Sequence, residues 1–405
     1  MASPGDADAM SDSDEDTGVR DAAPFTPLAD YCVPATPTRD SLQTWLTRAR
    51  ELFRRKPPAP MITDDRLRRS TLDMLDDVAS PPACGPLLAE IDASLADWLA
   101  EETPARRKRL FVLPPGDRNH IVAAWAETAG HARLTPPPRS ELLTPGGAPL
   151  PDVRGDGLLV IPALEDWFVR HTHGLDTLRQ LLDTLDRLDR HVLIGCNSWA
   201  WQYLSRAVAA DAVLGPAETF QAFDAHRLRA WFNEISQGAE HGPVCFRDAR
   251  SGDDIMALDA QDEPHEMLIS LAARSRGIPW VAWRLWRRSL RRRIDPEDDA
   301  HDAPAAVSDA DEQTLWVIAL EEFSLPGADN DDTLFLLHAL LIHGALTPDL
   351  LRAVLPITQA MQRLPALVAA GIVTRHEDGR LACAPAAYPA IRAGLTTAGF
   401  PIAAL

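Results

Sequence analysis

Between residues 105 and 255, short apolar runs alternate with amphipathic stretches along the chain. The runs LFVL (110–113), LLVI (158–161) and HVLIGC (191–196) are short and almost entirely apolar, which predicts buried strands. Between them apolar residues recur at three- and four-residue spacing, most clearly from Gly174 to Asp189, which predicts amphipathic helices. Apolar strands separated by helices predict an α/β domain with a parallel sheet that is covered on both faces.

The segment that precedes this region, residues 39–104, has only the helical spacing. It predicts a helical N-terminal module with helices over Ser41–Phe53, Asp64–Asp77 and Leu87–Glu101. Prolines lie in the linkers between these stretches, where they would end a helix.

The region after residue 255 divides into three parts. Residues 256–294 predict a helical lid around the turn SRGIPW, and residues 295–312 form a linker rich in carboxylates. In residues 313–405 a hairpin with its turn at Glu377–Gly379 follows three helices and precedes a fourth, which predicts a winged helix. The first three of these helices are predicted over Asp332–His343, Thr347–Val354 and Thr358–Ala370.

Composition and charge narrow the class of protein. The 405 residues include 59 acidic and 40 basic side chains, so a net charge of −19 argues against general binding of nucleic acid or anionic membranes by the whole chain. Residues 1–30 hold eight acidic groups against Arg20, which predicts an acidic, disordered head over residues 1–38. Five scattered cysteines without a CxxC pair and the lack of a long apolar span favour a cytoplasmic protein. Two lysines beside 38 arginines indicate a bacterial, GC-rich origin.

Four segments of the sequence follow one another in an order that also occurs in a known protein family. VLPPGDRNH, GLLVIPALEDWF, HVLIGCNSW and ARSRGIPWVAW are followed by the predicted winged helix. This order resembles that of AAA+/STAND P-loop ATPases, in which the corresponding segments are Walker A, Walker B, the sensor 1 strand and the GxP turn of the lid. The resemblance covers roughly residues 109–400 and implies a P-loop-like sheet with a helical lid, and ATP or ADP as the ligand.

The Walker A segment departs from the family pattern at each chemical position. A P-loop needs a lysine for the β- and γ-phosphates and a hydroxyl for Mg²⁺. Aligned on Gly116, the second glycine becomes Arg118, the lysine becomes Asn119 and the hydroxyl becomes His120. We expect Asp117 to cap the following helix and the Arg118 side chain to fill the space of the phosphates.

The other motifs are only partly retained. The Walker B aspartate becomes Pro162, with Glu165 shortly after it, whereas Asn197 matches the polar sensor 1 residue. Gly277 and Pro279 match the GxP turn, but the sensor 2 arginine position is Trp280. Three interpretations follow: a nucleotide-binding fold kept as a scaffold, residual nucleotide binding without normal hydrolysis, or an unusual ATPase. The first is favoured, because losing the lysine, the hydroxyl and the aspartate removes most stabilisation of a transferring phosphoryl group.

Further residues of chemical interest have plain structural explanations. His171 and His173 lack the partners of a metal site and are interpreted as solvated or capping residues, so no metal is expected. Trp199, Trp201 and Tyr203 suit core packing or an aromatic patch that binds a partner. The stretch WRLWRRSLRRR (283–293) suits a solvated lid face, or binding to nucleic acid or a membrane surface.

The predicted function combines these points. We expect a pseudo-ATPase that needs no cofactor, regulates or scaffolds an unidentified protein partner and could form a homo-oligomer. The recognition helix of the winged helix, Thr358–Ala370, carries Arg363 as its single basic residue, so it is expected to pack on the core and not to read DNA. A noncanonical ATP-binding switch and a DNA-binding regulator are the alternatives.

Overall fold

The computed structural model describes residues 24–35, 67–69, 84–118, 120–237, 244–293, 313–327 and 330–405. Its strands are β1 (Phe25–Pro27), β2 (Leu67–Arg69), β3 (Lys108–Leu113), β4 (Ala132–Arg133), β5 (Leu159–Ile161), β6 (Val192–Asn197), β7 (Ala217–Phe220), β8 (Val244–Asp248), β9 (Leu290–Arg293), β10 (Gln313–Val317), β11 (Ala345–Leu346), β12 (Val373–Arg375) and β13 (Leu381–Cys383). Its α-helices are α1 (Gly85–Ala100), α2 (Ile121–Thr128), α3 (Asp176–Arg187), α4 (Ser198–Val208), α5 (Ala210–Leu214), α6 (Ala225–Gln237), α7 (Glu266–Arg274), α8 (Pro279–Ser289), α9 (Asp331–His343), α10 (Pro348–Val354), α11 (Leu364–Ala369) and α12 (Tyr388–Thr397).

The central sheet has the order β1-β7-β3-β6-β5-β4, and its last five strands are parallel. All six residues of β6 and all three of β5 are buried, because helices cover both faces of the sheet. In α3 the leucines recur on one side, and Leu178, Leu181 and Leu185 are fully buried. The predicted α/β class and these strands are confirmed.

The prediction that the acidic head, residues 1–38, is disordered is wrong for residues 25–30. Strand β1 pairs antiparallel with β7 at the edge of the central sheet, and a 3-10 helix follows at Leu28–Asp30. Phe25 is buried, and its ring stacks on Phe111 of β3 with centroids 4.2 Å apart. A single aromatic residue after a run of acidic ones was too weak a pattern to predict a strand.

The helical N-terminal module differs from the prediction as well. Helix α1 confirms the third predicted helix, but its residues Leu87, Ile91 and Leu95 belong to the same core as the central sheet. Residues 67–69, predicted to be helical, form β2. The first predicted helix, Ser41–Phe53, lies outside the described residues.

A second sheet, not predicted, combines β2, which precedes β3 in the sequence, with three strands that follow the central sheet. It has the order β2-β9-β10-β8, with β10 parallel to β8 and antiparallel to β9. The lid helices are α7 and α8, but the lid stretch ends in strand β9. The predicted boundary between linker and winged-helix domain therefore falls at the start of a strand, β10, that pairs with strands before the linker.

The C-terminal domain, residues 330–405, contains the predicted helices and hairpin. Helices α9 and α10 match their predicted ranges to within one residue, and α12 is the predicted fourth helix. The third predicted helix is a 3-10 turn at Thr358–Arg363 followed by α11. Strands β11, β13 and β12 form an antiparallel sheet in that order. Gly379 turns the hairpin with a φ of +81°, a conformation that glycine adopts without strain.

Candidate functional site

The candidate site lies where the parallel strands of the central sheet end. Numbered 1 to 5 along the chain, these strands lie in the order 5-1-4-3-2. After β3 the chain crosses to β4, which lies at one edge of the sheet. After β6 it crosses to β7, which lies on the other side of β3. Ligands of open α/β sheets bind at such a switch point, outside the carboxyl ends of the strands. The loop after β3 and the residue Asn197 at the end of β6 both lie there.

The loop after β3 has the shape of a strand-to-helix turn. Gly116 has a φ of +86°, and the indole N–H of Trp280 donates a hydrogen bond of 3.0 Å to the carbonyl of Pro115. The Asp117 carboxylate accepts a hydrogen bond of 2.8 Å from the backbone N–H of Ile121, so the predicted cap of α2 is present. His120 precedes α2 in a left-handed conformation, whereas Asn119 lies outside the described residues.

Arg118 does not fill the phosphate position, contrary to the expectation. Its guanidinium donates a hydrogen bond to the hydroxyl of Thr374 on strand β12 of the C-terminal domain. The side chain therefore points from the loop toward the hairpin and connects the central domain to it.

The C-terminal domain covers the loop. A Cβ atom built on Gly116 would lie 3.3 Å from the ring of Pro385, which is buried in the 3-10 turn before α12. The cavity left between the loop and residues of α9 and α12 has a volume of about 20 Å³. That is room for about one water molecule. A phosphate chain does not fit between Gly116 and Pro385 in this arrangement.

Asn197, the sensor 1 match, makes structural hydrogen bonds with both ends of its amide. Its oxygen accepts from the backbone N–H of Ala200 at 2.8 Å and so caps α4. Its Nδ2 donates to the carbonyl of Ile342 in α9 at 3.1 Å, across the contact with the C-terminal domain. Only 5% of the residue is exposed.

Glu165 and Asp166 follow β5 in a 3-10 turn. Glu165 accepts a hydrogen bond of 3.1 Å from the backbone N–H of Asn197, and burial raises the pKa of its carboxyl to about 7, with the Asp166 charge adding to the increase. Asp166 is paired with Arg139 at 2.6 Å. A metal-holding carboxylate would have to be ionised, which the surroundings of Glu165 oppose.

Arg139 joins this turn to the C-terminal domain, and it was missed from the sequence. Besides Asp166, its guanidinium donates to the carbonyl of His343 at 2.8 Å and to that of Ala345. His343 is the last residue of α9, where carbonyls lack helical partners, and Ala345 begins strand β11. Arg139 lies in a proline-rich loop with no periodicity, so no local sequence pattern indicated its role.

The ring of His343 is enclosed at the same contact. Its Nε2 accepts a hydrogen bond of 3.3 Å from the backbone N–H of Arg170. Burial, together with the charges of Arg139 and Arg170, lowers the pKa of His343 well below its ordinary value, so the ring stays neutral. Its Nδ1 is buried and has no hydrogen-bond partner among the described residues.

The predicted GxP turn is present but is enclosed by protein. Gly277 has a φ of +72°, and a Cβ there would lie 2.6 Å from the Cβ of Ala222. Its carbonyl accepts from the backbone N–H of Phe223 at 2.9 Å. Pro279 begins α8, where its missing N–H is tolerated, and it is buried.

The structure thus brings the described site residues, which exclude Asn119, to one edge of the sheet but engages them in internal contacts. Among the described residues no group of three metal-ligating side chains lies together, and none of the described helices has the length and apolar character to cross a membrane. The residues present do not fit a nucleotide, because Pro385 faces the loop glycine and Trp280 holds the loop carbonyl. Ionised carboxylates and a lysine are the groups that would be needed.

Comparison with known proteins gives distant similarities only. No protein-family model and no curated protein matches the sequence. Among solved structures, the chain is similar to a RuvB variant of Thermotoga maritima at 14% identity, covering 82% of this chain and 97% of that one with a TM-score of 0.29. It is also similar to Cdc6p of Pyrobaculum aerophilum at 13% identity, covering 80% and 99% with a TM-score of 0.29. Both are AAA+ P-loop ATPases.

Proposed function

We propose that this chain is an AAA+-like protein whose nucleotide site has become an internal contact, and that it regulates or scaffolds a partner protein without hydrolysing ATP. One observation carries the proposal: Pro385 of the C-terminal domain lies against Gly116, at the place where phosphates would approach the loop. The strand order 5-1-4-3-2 and the motif order resemble those of AAA+ ATPases and support the family assignment.

The chemistry of the site supports the loss of hydrolysis. The residues at or near the catalytic positions of the family make internal contacts: Asn197 caps a helix, Trp280 donates a hydrogen bond to the loop carbonyl, and Asp166, which follows the Walker B position Pro162, pairs with Arg139. Transfer of a phosphoryl group needs donors and a metal aimed at developing charge. None of these three side chains offers that.

The C-terminal domain is proposed to be a winged helix that packs on the core. Its helix–strand order agrees with that fold, and Asn197, Arg139 and Arg118 hydrogen-bond to it from the central domain. A domain held in this way serves as part of the protein's own structure. Its third helix, with Arg363 as the single basic residue, offers few phosphate contacts.

Phosphate release from Mg-ATP by the full-length protein tests the proposal. We expect turnover no higher than the background of the buffer, and the same background for Glu165→Gln as a matched variant that keeps the hydrogen bond to Asn197 possible. Sedimentation velocity of the same samples should give one profile with and without Mg-ATP. Turnover above background that Glu165→Gln abolishes would overturn the proposal.

A further inference from the structure

The outer side of the third helix of the C-terminal domain is apolar. This helix consists of the 3-10 turn Thr358–Arg363 and α11, and its inner side packs on α9 and β12 of the same domain, with Leu367 buried. Five consecutive or nearly consecutive residues on its outer side are apolar and exposed, and we call them the α11 surface: Pro365, Ala366, Val368, Ala369 and Ala370. Pro365 lies three residues before Val368 and four before Ala369, so these side chains are neighbours on the helix surface.

Large apolar side chains are seldom exposed in this protein. Those of the described residues that are exposed are Val33 at 37%, Leu258 at 36%, Ile357 at 42% and Val368 at 40%. The two most exposed, Ile357 and Val368, lie just before the third helix and near its end. A surface helix ordinarily carries charged residues on its outer face, as α3 does with Asp183, Asp186 and Arg187. The α11 surface departs from that pattern.

The charged side chains next to the α11 surface are arginines. Residues 353–376 include Arg363 and Arg375 and no aspartate or glutamate, in a chain with a net charge of −19. Arg363 directly precedes α11, and Arg375 lies on β12, on which α11 packs. Both side chains are exposed, and among the described residues neither guanidinium has an ion pair or a hydrogen bond. An apolar centre with arginines at its edge is the composition of a surface that binds protein.

The size of the α11 surface limits what can cover it. A stable dimer takes about 800 Å² and roughly 20–30 residues from each partner, whereas this surface has five residues. A twofold contact through it would also bring Arg363 and Arg375 toward the same arginines of the second copy. A short segment of another protein avoids both problems. A helix with apolar residues at three- and four-residue spacing has the matching shape.

We propose that the α11 surface binds an amphipathic helix of a partner protein, whose apolar side lies on Val368 and whose acidic residues face Arg363 and Arg375. The inference deepens the proposed function and rests on it, because it names the surface and the kind of segment through which the chain would hold its partner. Duplex DNA is the other candidate ligand for a domain of this shape. A reader of DNA needs polar or basic side chains that reach base edges, and the α11 surface has none.

Fluorescence anisotropy with two labelled model peptides tests the proposal on the full-length protein at physiological salt. Both peptides are helical with leucines along one side; the other positions are glutamates in the acidic peptide and lysines in the basic peptide. Val368→Gln makes the centre of the surface polar. Leu258→Gln is its control, because Leu258 is an apolar side chain of similar exposure that lies before α7.

A second pair of variants tests the arginines. Arg363→Glu with Arg375→Glu reverses the charge at the edge of the α11 surface. Arg187→Glu with Arg206→Glu is the control, because these two exposed arginines lie on helices of the central domain and the change in net charge is the same. Every substituted residue has an exposed side chain, and thermal melts check that each variant is folded.

The wild type should bind the acidic peptide saturably and the basic peptide at least about tenfold more weakly. Val368→Gln should weaken the binding of the acidic peptide at least about fivefold, and Leu258→Gln should leave it unchanged. The variant with both edge arginines reversed should lose at least about tenfold, and its control less than about twofold, because charges beyond about 8 Å are largely screened.

Four results would each overturn the proposal: no binding of the acidic peptide, equal binding of both peptides, an unchanged affinity in Val368→Gln, or binding of duplex DNA that Val368→Gln weakens. Sedimentation velocity adds a fifth, a dimer that Val368→Gln dissociates, which would assign the surface to a second copy of the chain. Phosphate release from Mg-ATP is measured on the same samples. A failure of the proposed loss of hydrolysis is therefore seen separately from a failure of peptide binding.

Discussion

Replacing Asn197 with alanine removes two different contributions to stability. The first is the cap of α4, in which the side-chain oxygen accepts from Ala200. The second is the bond from Nδ2 to the carbonyl of Ile342, which joins the central and C-terminal domains. We therefore expect Asn197→Ala to lower the free energy of unfolding by more than the loss of a cap alone.

The magnitude follows from these two contacts. Loss of an asparagine cap costs about 1 kcal/mol. Loss of the second bond leaves a buried carbonyl without its partner, because Ile342 is 1% exposed, and that costs about 1–3 kcal/mol. The sum predicts a decrease of about 2–4 kcal/mol for Asn197→Ala.

Asn330 provides a matched control for this prediction. It caps α9 through hydrogen bonds from the backbone N–H groups of Asp332 and Thr333, both within its own helix. Asn330→Ala should therefore cost only about 1 kcal/mol. Urea unfolding followed by circular dichroism measures both variants. Equal losses for the two variants would refute the reasoning, because the bond between the domains would then contribute nothing.

Three further predictions concern stability. Asp117→Ala should lower the free energy of unfolding by about 1 kcal/mol, because Asp117 caps α2. An unchanged midpoint of urea unfolding would contradict this. Phe25→Ala should cost about 3–5 kcal/mol, because the ring is buried on the central sheet; a loss under 1 kcal/mol, measured by urea unfolding, would mean that β1 is dispensable. Burial raises the pKa of Glu165 to about 7, so between about pH 4.5 and pH 7 the folded protein binds a proton that the unfolded chain releases. The contribution of Glu165 to the free energy of unfolding therefore falls as the pH rises from about 4.5 to 7, and it stays low above pH 7. Glu165→Gln should remove up to about 3 kcal/mol of that decrease; parallel stability–pH curves for both proteins would count against it.

The sequence predicted those parts of the fold that local pattern determines. Strands β3, β5 and β6 contain the apolar runs LFVL, LVI and VLIGC, and the leucines of α3 recur at helical spacing, so each could be recognised without its neighbours. The second sheet could not be predicted in this way. Its strands β2 and β9 consist largely of arginines, and the pairing that makes them strands joins residues more than 200 positions apart.

The candidate site was predicted in part for a similar reason. Motif order marked Gly116, Asn197 and Gly277 because each occupies a fixed place after a strand or helix. The approach to the loop is closed because Pro385 lies against Gly116, and these two residues are 269 positions apart in the sequence. A contact of that separation leaves no local pattern.

Isothermal titration of the full-length protein with Mg-ATP and Mg-ADP tests the central claim most directly. With Pro385 against Gly116 and no lysine on the described part of the loop, we expect no saturable heat with either nucleotide, for the wild type and for Arg118→Ala alike. Saturable binding in the micromolar range at one site per chain, lost in Arg118→Ala, would contradict the account, because it would mean that the C-terminal domain moves off the loop and that Arg118 meets the phosphates.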